Sequence, residues 1–503
     1  MALAIPGSVP PTAGEHRPAG EQNGARAADR VIEHRWWGLI AWTTGLVMGA
    51  GALSDNSFLT HLATGRLFRE SGAPHHDVFT FASGGKALVV QSWLASWTYA
   101  TLEHLGGATA IRMFVALVTG ALLATVWRLS RPADALVARL GLTAGAAMMG
   151  LLWWNERPQL LAFLALALAA LVLGERRSPW WLVPIFVVWV NVHGSFPLGV
   201  LYVGAATGLW LVERRADGRR RPDAVELRRA AQFGVAVVLG VGLGAALSPY
   251  GMEMLSFPVR LLRRSSSLIL ISEWRPLSLD NANNVVFLVE AVAIAALLAM
   301  RRSWLRLAVA AVFVGLTLMA IRNGAIAALV LVPLAAPSLA GLGTPDALGP
   351  APRRRLLQLG AAAALVVGVV VMVTPDYDLS SYPVAAVDWL EAQGYVGRPH
   401  GEDLAVLSHD YSGNYLEWRF GTRANPWFDD RAELHSFATV RDYVLLLSNI
   451  GDPDTILARH PHDLVMWAAD TGLARHLAHD DAYRIVYRDA GTVIACRVAS
   501  HRC

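Results

Sequence analysis

Eleven apolar stretches recur along this chain of 503 residues, at about 36–54, 108–128, 136–153, 159–174, 179–193, 196–212, 231–248, 285–300, 305–321, 324–341 and 357–374. Each approaches the ~20 residues a helix needs to cross a hydrocarbon core of ~30 Å. A soluble helical protein would need a polar face on most of its helices, and these stretches offer almost none. Only 16% of the residues are charged, against about a quarter in soluble domains. The expected fold is therefore a polytopic α-helical membrane protein of about 11 spans.

Arginine orients it. Arg128 and Arg131, then Arg176 and Arg177, then Arg214, Arg215, Arg219, Arg220 and Arg221, then Arg301, Arg302 and Arg306, then Arg353, Arg354 and Arg355 fall in alternate loops. The positive-inside rule puts those loops and the N-terminus in the cytoplasm. An odd number of spans then puts the C-terminal part outside. Residues 89–105 are apolar but carry Gln91, Ser92, Glu103 and His104. Counting them as a span reverses every later loop, so they are expected to form an interfacial or re-entrant helix on the outer face, with Trp93, Trp97 and Tyr99 at headgroup level.

Three parts follow. Residues 1–34 are polar and rich in Gly, Pro, Ala and Arg, as a disordered cytoplasmic tail would be. Residues 35–375 form the transmembrane domain, and residues 376–503 an extracytoplasmic domain. The last part holds 11 Arg against 19 Asp and Glu, a net charge of −8, so the total of +4 leaves +12 for residues 1–375. Most basic residues sit in short loops between spans, where they orient the chain, so no nucleic-acid partner is implied. Cys496 and Cys503 can form a disulfide if their domain lies outside the cell.

The polar residues between spans gather on the outer side. Asp55 ends the first span. A carboxylate there is costly unless solvated or paired; in a cleft it could take a proton from a hydroxyl, and otherwise it is a helix cap. Asp77 follows His75 and His76 in the same loop, as a second acid or as a turn residue. Asn155-Glu156-Arg157, Asn191-Val192-His193, Ser248-Pro249-Tyr250, Ser272-Glu273-Trp274 and Arg322-Asn323 join later spans. The outer loop 249–284 carries Arg260, Arg263, Arg264 and Arg275 against the orientation rule. Guanidinium binding to phosphate explains them; snorkelling to lipid headgroups does so equally.

The pattern changes near Tyr377. Helices are expected at 382–393, 415–420 and 437–448, strands at 404–407 and 464–467, and a hairpin at 483–487 and 492–497 around Asp489-Ala490-Gly491. The alternation predicts a small α/β domain. Asp429, Asp430, Arg431 and Glu433 are expected in a solvated loop.

These residues resemble a widespread bacterial membrane-protein family within the GT-C glycosyltransferase superfamily. The resemblance is carried by Asp55, His61-Leu62-Ala63-Thr64-Gly65-Arg66, Pro74, Asp77, Phe79, Gln91-Ser92-Trp93-Leu94, Asn191, His193-Gly194, Pro249-Tyr250-Gly251, Glu273-Trp274 and Arg322, and in the tail by Tyr382-Pro383, Ala386, Trp389-Leu390, Tyr415-Leu416, Asp430-Arg431 and Tyr487-Arg488-Asp489. It implies a GT-C-like fold, a bacterial plasma membrane, and a sugar taken from a polyprenyl-phosphate carrier for an acceptor in the cell envelope. It makes Asp55 the general base. The family often has a second acid two positions further on, where this chain has Ser57. That leaves a single base, with Asp77 or Glu156 assisting, and no cofactor unless a divalent metal is used.

The expected substrate-binding residues are His61, Arg66, His193, Tyr250, Arg260, Arg263, Arg264, Glu273, Arg275 and Arg322. A lipid or solute transporter would need polar groups at mid-membrane depth, whereas these lie at span ends. A non-catalytic scaffold on the same fold is the other alternative.

Overall fold

The computed structural model describes residues 37–216, 222–264, 269–341, 353–398, 403–500 and 502–503. The expected disordered tail and Arg219, Arg220 and Arg221 lie outside them, as do the side chains of Arg214, Arg215, Arg353 and Arg355.

Each apolar stretch forms a helix. Five are long and apolar enough to cross a membrane: Trp93–Ala133, Phe196–Glu213, Ala224–Leu247, Ala282–Met300 and Ile321–Leu339. Six are shorter: Trp37–Gly49, Leu136–Gly150, Gln159–Gly174, Pro179–Val192, Trp304–Met319 and Gly360–Val373.

The helix expected at 89–105 is present from Trp93 and is followed directly by the apolar helix that ends at Leu129. A corner at Gly106 and Gly107 divides this first arm from the apolar part. Gly107 sits at φ 64°, ψ −161°, a region that needs glycine. The arm packs along the helix Asn56–Ser71, whose Gly65 lies so close that a Cβ there would come 2.0 Å from the Ser96 carbonyl oxygen. This contact fixes how Thr60 and His61, one turn earlier, meet their neighbours.

One arginine ties the first and last apolar helices together. Arg112 is buried in the long helix. It donates to the carbonyls of Ala50 (3.0 Å), Gly51 (3.0 Å), Val371 (3.1 Å) and Thr374 (3.3 Å). These are unpaired carbonyls at helix C-termini, where a cation is favourable. Just beyond, Leu53 N–H donates to Asp376 O (3.1 Å) and Asp378 N–H to Leu53 O (2.9 Å), so the tail domain starts beside the end of the first helix.

The tail domain is a four-stranded sheet with flanking helices. Strands β1 (Val406–Ser408), β2 (Leu464–Ala468), β3 (Tyr483–Arg488) and β4 (Thr492–Arg497) lie in the order β1-β2-β4-β3. β1 and β2 are parallel, and the other two pairings are antiparallel. The parallel pair is joined through the helices Asp410–Phe420, Phe437–Leu447 and Pro453–Arg459, since a parallel pair needs such a crossover. Pro453–Arg459 and Gly472–Leu477 are two short helices beyond those expected. Cys496 and Cys503 are joined in a disulfide.

Alternate side chains of the sheet enter different cores, following its period of two. Leu464, Met466, Ile494 and Cys496 join the core that runs on into the apolar helices. Val465, Trp467, Val493 and Ala495 join a second core under the outer helices of the tail.

Candidate active site

A cavity of about 320 Å³ opens where the tail domain meets the ends of the apolar helices. Its wall takes Asn56, Ser57, Thr60 and His61 from the first turns of Asn56–Ser71, Arg157 and Gln159 from the start of Gln159–Gly174, and His193 from the end of Leu182–Val192. Glu273, Trp274 and Arg322 come from two later connections, and Asp410, Tyr411, Asp430, Arg431 and Glu433 from the tail. Segments far apart in sequence, all expected on one face, meet here.

Asp55 stands behind this wall. Its Oδ1 caps the helix by accepting from Ser57 N–H (3.0 Å), and its Oδ2 accepts from Arg157 Nε (2.6 Å) and Asn155 Nδ2 (3.0 Å). Arg157 also donates to Glu273. Burial raises the Asp55 carboxyl above its ordinary pKa, and Arg157 offsets part of that rise. Burial acts on Glu273 too, but Arg157 and Arg322 outweigh it and hold that carboxyl below the usual range. Glu156 lies deeper, with Oε1 accepting from the backbone N–H groups of Ser54 (2.5 Å) and Asp55 (2.6 Å). It fixes the turn that presents Asp55.

A second ion cluster holds the tail against the first loop. Arg431 Nη2 lies 2.9 Å from Asp77 and also pairs with Asp429, and the guanidinium sits over the Phe79 ring. Asp77 accepts from Ser83 Oγ (2.7 Å) and Thr80 Oγ1 (2.8 Å) as well. Burial opposes its ionisation, yet Arg431 wins and its pKa is lowered. Glu417, fully buried beside Asp429, is pushed well up by burial and by that neighbour. The Asp429–Glu433 segment, expected in a solvated loop, is thus built into the interface. Its burial was invisible in sequence because one ion partner of Arg431, Asp77, belongs to the distant first loop.

Two guanidinium groups on the cavity wall keep donors that make no hydrogen bond to other described residues. Arg431 Nη1 is enclosed and has no hydrogen bond. Arg322 stacks over Trp274 at 4.4 Å and makes no hydrogen bond or ion pair to another described residue. The two histidines are neutral. Burial, then the field of Arg157 and Arg431, lowers His61 to about 3; burial, then Arg322, lowers His193 to about 3. Ser195 N–H donates to His193 Nδ1 (3.2 Å), which leaves the His193 proton on Nε2.

No family model matches the chain, and no curated protein does. Among solved structures, it is similar to the crystal structure of ArnT from Cupriavidus metallidurans bound to undecaprenyl phosphate. The identity is 15%, over 93% of this chain and 98% of that one, with a TM-score of 0.42. Likeness at that level leaves the chemistry to be argued from the residues.

Of the residues expected to bind substrate, His61, His193, Glu273 and Arg322 line the cavity, and Arg66, Tyr250, Arg260, Arg263, Arg264 and Arg275 do not. Arg66 pairs with Glu103 (2.6 Å) and donates to Trp418 O (2.5 Å). Tyr250 donates to Pro74 O (2.9 Å). Arg260 lies by Glu253, 3.8 Å away. Arg264 braces the tail loop through Glu433 O and His435 O. Arg263 and Arg275 are exposed. Of the expected acids, Asp55, Asp77 and Glu156 all sit behind the wall. Asp410, Tyr411, Asp430, Arg431 and Glu433 line it without having been chosen as site residues. The tail half of the resemblance, with Asp430-Arg431 in it, was the available signal.

Proposed function

We propose that this cavity binds the phosphate of a polyprenyl-phosphate-linked sugar and that the chain transfers the sugar to an acceptor at the outer face of the membrane, as a membrane glycosyltransferase of the GT-C kind. The observation that carries the reading is that the Arg322 guanidinium, stacked on Trp274, and the unbonded Nη1 of Arg431 both line this cavity at the end of a set of apolar helices. A buried donor without an acceptor costs about 1–3 kcal/mol. Anionic oxygens would satisfy such donors, and guanidinium suits phosphate geometry. Two helices, Asn56–Ser71 and Gln159–Gly174, begin at the cavity and add the positive ends of their dipoles. These groups would stabilise charge as it develops on a leaving phosphate. The apolar helices supply a bilayer in which a polyprenyl chain can lie. The acidic tail and its Cys496–Cys503 disulfide fit an extracytoplasmic, oxidising side.

A non-catalytic scaffold has one observation in its favour: Asp55 is already committed to a helix cap and an ion pair. It predicts ligand binding without turnover.

Undecaprenyl phosphate, the ligand in the ArnT structure, is a suitable probe. Full-length protein in nanodiscs should bind it, and Arg322→Ala should weaken binding about 10- to 100-fold, the worth of one charged hydrogen bond. Equal affinity for the two proteins would remove the basis of this reading.

A further inference from the structure

We propose that Asp430, on the tail loop that closes the cavity, is the proton acceptor for the incoming nucleophile. This rests on the glycosyl-transfer reading and names the group which that reading leaves unassigned.

Four carboxyls line the cavity: Glu273, Asp410, Asp430 and Glu433. Glu273 is bound by Arg157. Asp410 accepts from Tyr443 OH (2.5 Å) on one oxygen and from Asn56 Nδ2 (3.0 Å) on the other. The pKa of Glu433 is raised by burial and by the Asp429 charge, with Arg431 opposing. Asp430 differs. Its Oδ1 is enclosed and unbonded, and its backbone is fixed by donation from its N–H to Asn414 Oδ1 (3.2 Å). The carboxyl therefore has a fixed place and an idle oxygen, as a general base needs.

Its surroundings set its proton affinity. Burial, then the Asp429 charge beside it, pushes it up to about 7, while Ser57 and Arg157 pull the other way and Asp55 adds to the rise. Arg431 and Glu433 on its own loop and Asp410, Tyr411 and Glu273 across the cavity complete the charged and titratable groups near it, with Tyr382 close enough to feel its charge. A base near the working pH combines the right protonation state with a useful driving force. Asp55, by contrast, has both oxygens engaged.

In the step proposed, the acceptor hydroxyl oxygen bonds to the anomeric carbon as the bond from that carbon to the carrier phosphate breaks. The electron pair of the broken bond leaves on the phosphate, toward Arg322 and Arg431. The hydroxyl proton passes to Asp430, which returns it to water.

The test uses full-length protein in liposomes with an envelope extract as acceptor. A panel of undecaprenyl-phosphate-linked labelled hexose, hexosamine and aminopentose serves as donor, and loss of label from the carrier is measured against pH. Wild-type turnover should rise with pH through about 7. Asp430→Asn should lose at least about 100-fold in rate and lose that pH limb, yet bind undecaprenyl phosphate within about threefold of wild type, since the arginines remain. Asp430→Glu should keep a displaced limb, which decides the matter even if Asp430→Asn fails to fold. Asp55→Asn should keep the limb whatever its rate. Turnover of Asp430→Asn within threefold of wild type, or an unmoved limb in Asp430→Glu, overturns the role of Asp430 and leaves glycosyl transfer standing. Wild type that binds undecaprenyl phosphate but turns over no donor overturns the transfer reading, and Asp430 with it.

Discussion

Arg157 serves two carboxylates at once, Asp55 and Glu273, at the rim of the cavity. Removing it strands both charges in a poorly solvated place. Arg157→Ala should therefore destabilise the protein by about 3 kcal/mol, measured by thermal unfolding in detergent. No loss would mean that water reaches both acids freely. The Asp430 carboxyl is a residue-scale cost of a different kind. Its folded pKa is raised to about 7, against ~3.9 for an unfolded aspartate. Between those values the unfolded chain has lost a proton that the folded one still holds, so stability falls as pH rises from about 4 to 7 and levels off above. Asp430→Asn should accordingly raise the melting midpoint at pH 8, by about 1–2 kcal/mol in stability after screening, and leave it unchanged at pH 4. A midpoint that drops at pH 8 would argue against the raised pKa. Asp55 was legible in sequence as a costly acid at a span end. What could not be read was its partner, because Arg157 sits 102 positions away and a single sequence carries no pairing information.

At the scale of elements, the apolar periodicity gave the helices and their order, since a stretch with no polar face has few alternatives in a bilayer. It gave lengths unevenly: Gln159–Gly174 matches its stretch, whereas Trp37–Gly49 and Leu136–Gly150 stop several residues short of theirs. The corner at Gly106–Gly107 falls between the stretches read as 89–105 and 108–128, and both glycines leave helical φ and ψ there. Gly107→Ala should strain that corner by about 1–3 kcal/mol and misplace the arm that holds Ser92 and Ser96 against His61 (3.3 and 3.2 Å). Undecaprenyl phosphate affinity should fall along with the melting midpoint. If the midpoint falls alone, the arm does not help shape the cavity. In the tail domain, short apolar runs predicted both parallel strands, which are buried on two faces, and the turn residues around Gly491 predicted the hairpin. The helices Pro453–Arg459 and Gly472–Leu477 were missed because each is under three turns long and leaves little periodic signal.

For the whole molecule, Arg431 joins the two halves: its guanidinium meets Asp77 of the first loop and Asp429 of the tail. Arg431→Met should loosen this junction. Hydrogen exchange should speed up in residues 77–83 and 429–435, while the far sheet strands β3 and β4 stay protected. Uniform protection would show that apolar contacts alone hold the halves together. Those contacts are extensive, because one core passes from Phe163 and Trp189 in the helices to Tyr415, Met466 and Ile494 in the tail. The tail is therefore no detachable accessory. Cutting the gene near codon 376 would strip a greasy underside from every copy made, and evolution has little room to exchange this cap for another without redesigning the seam on both sides.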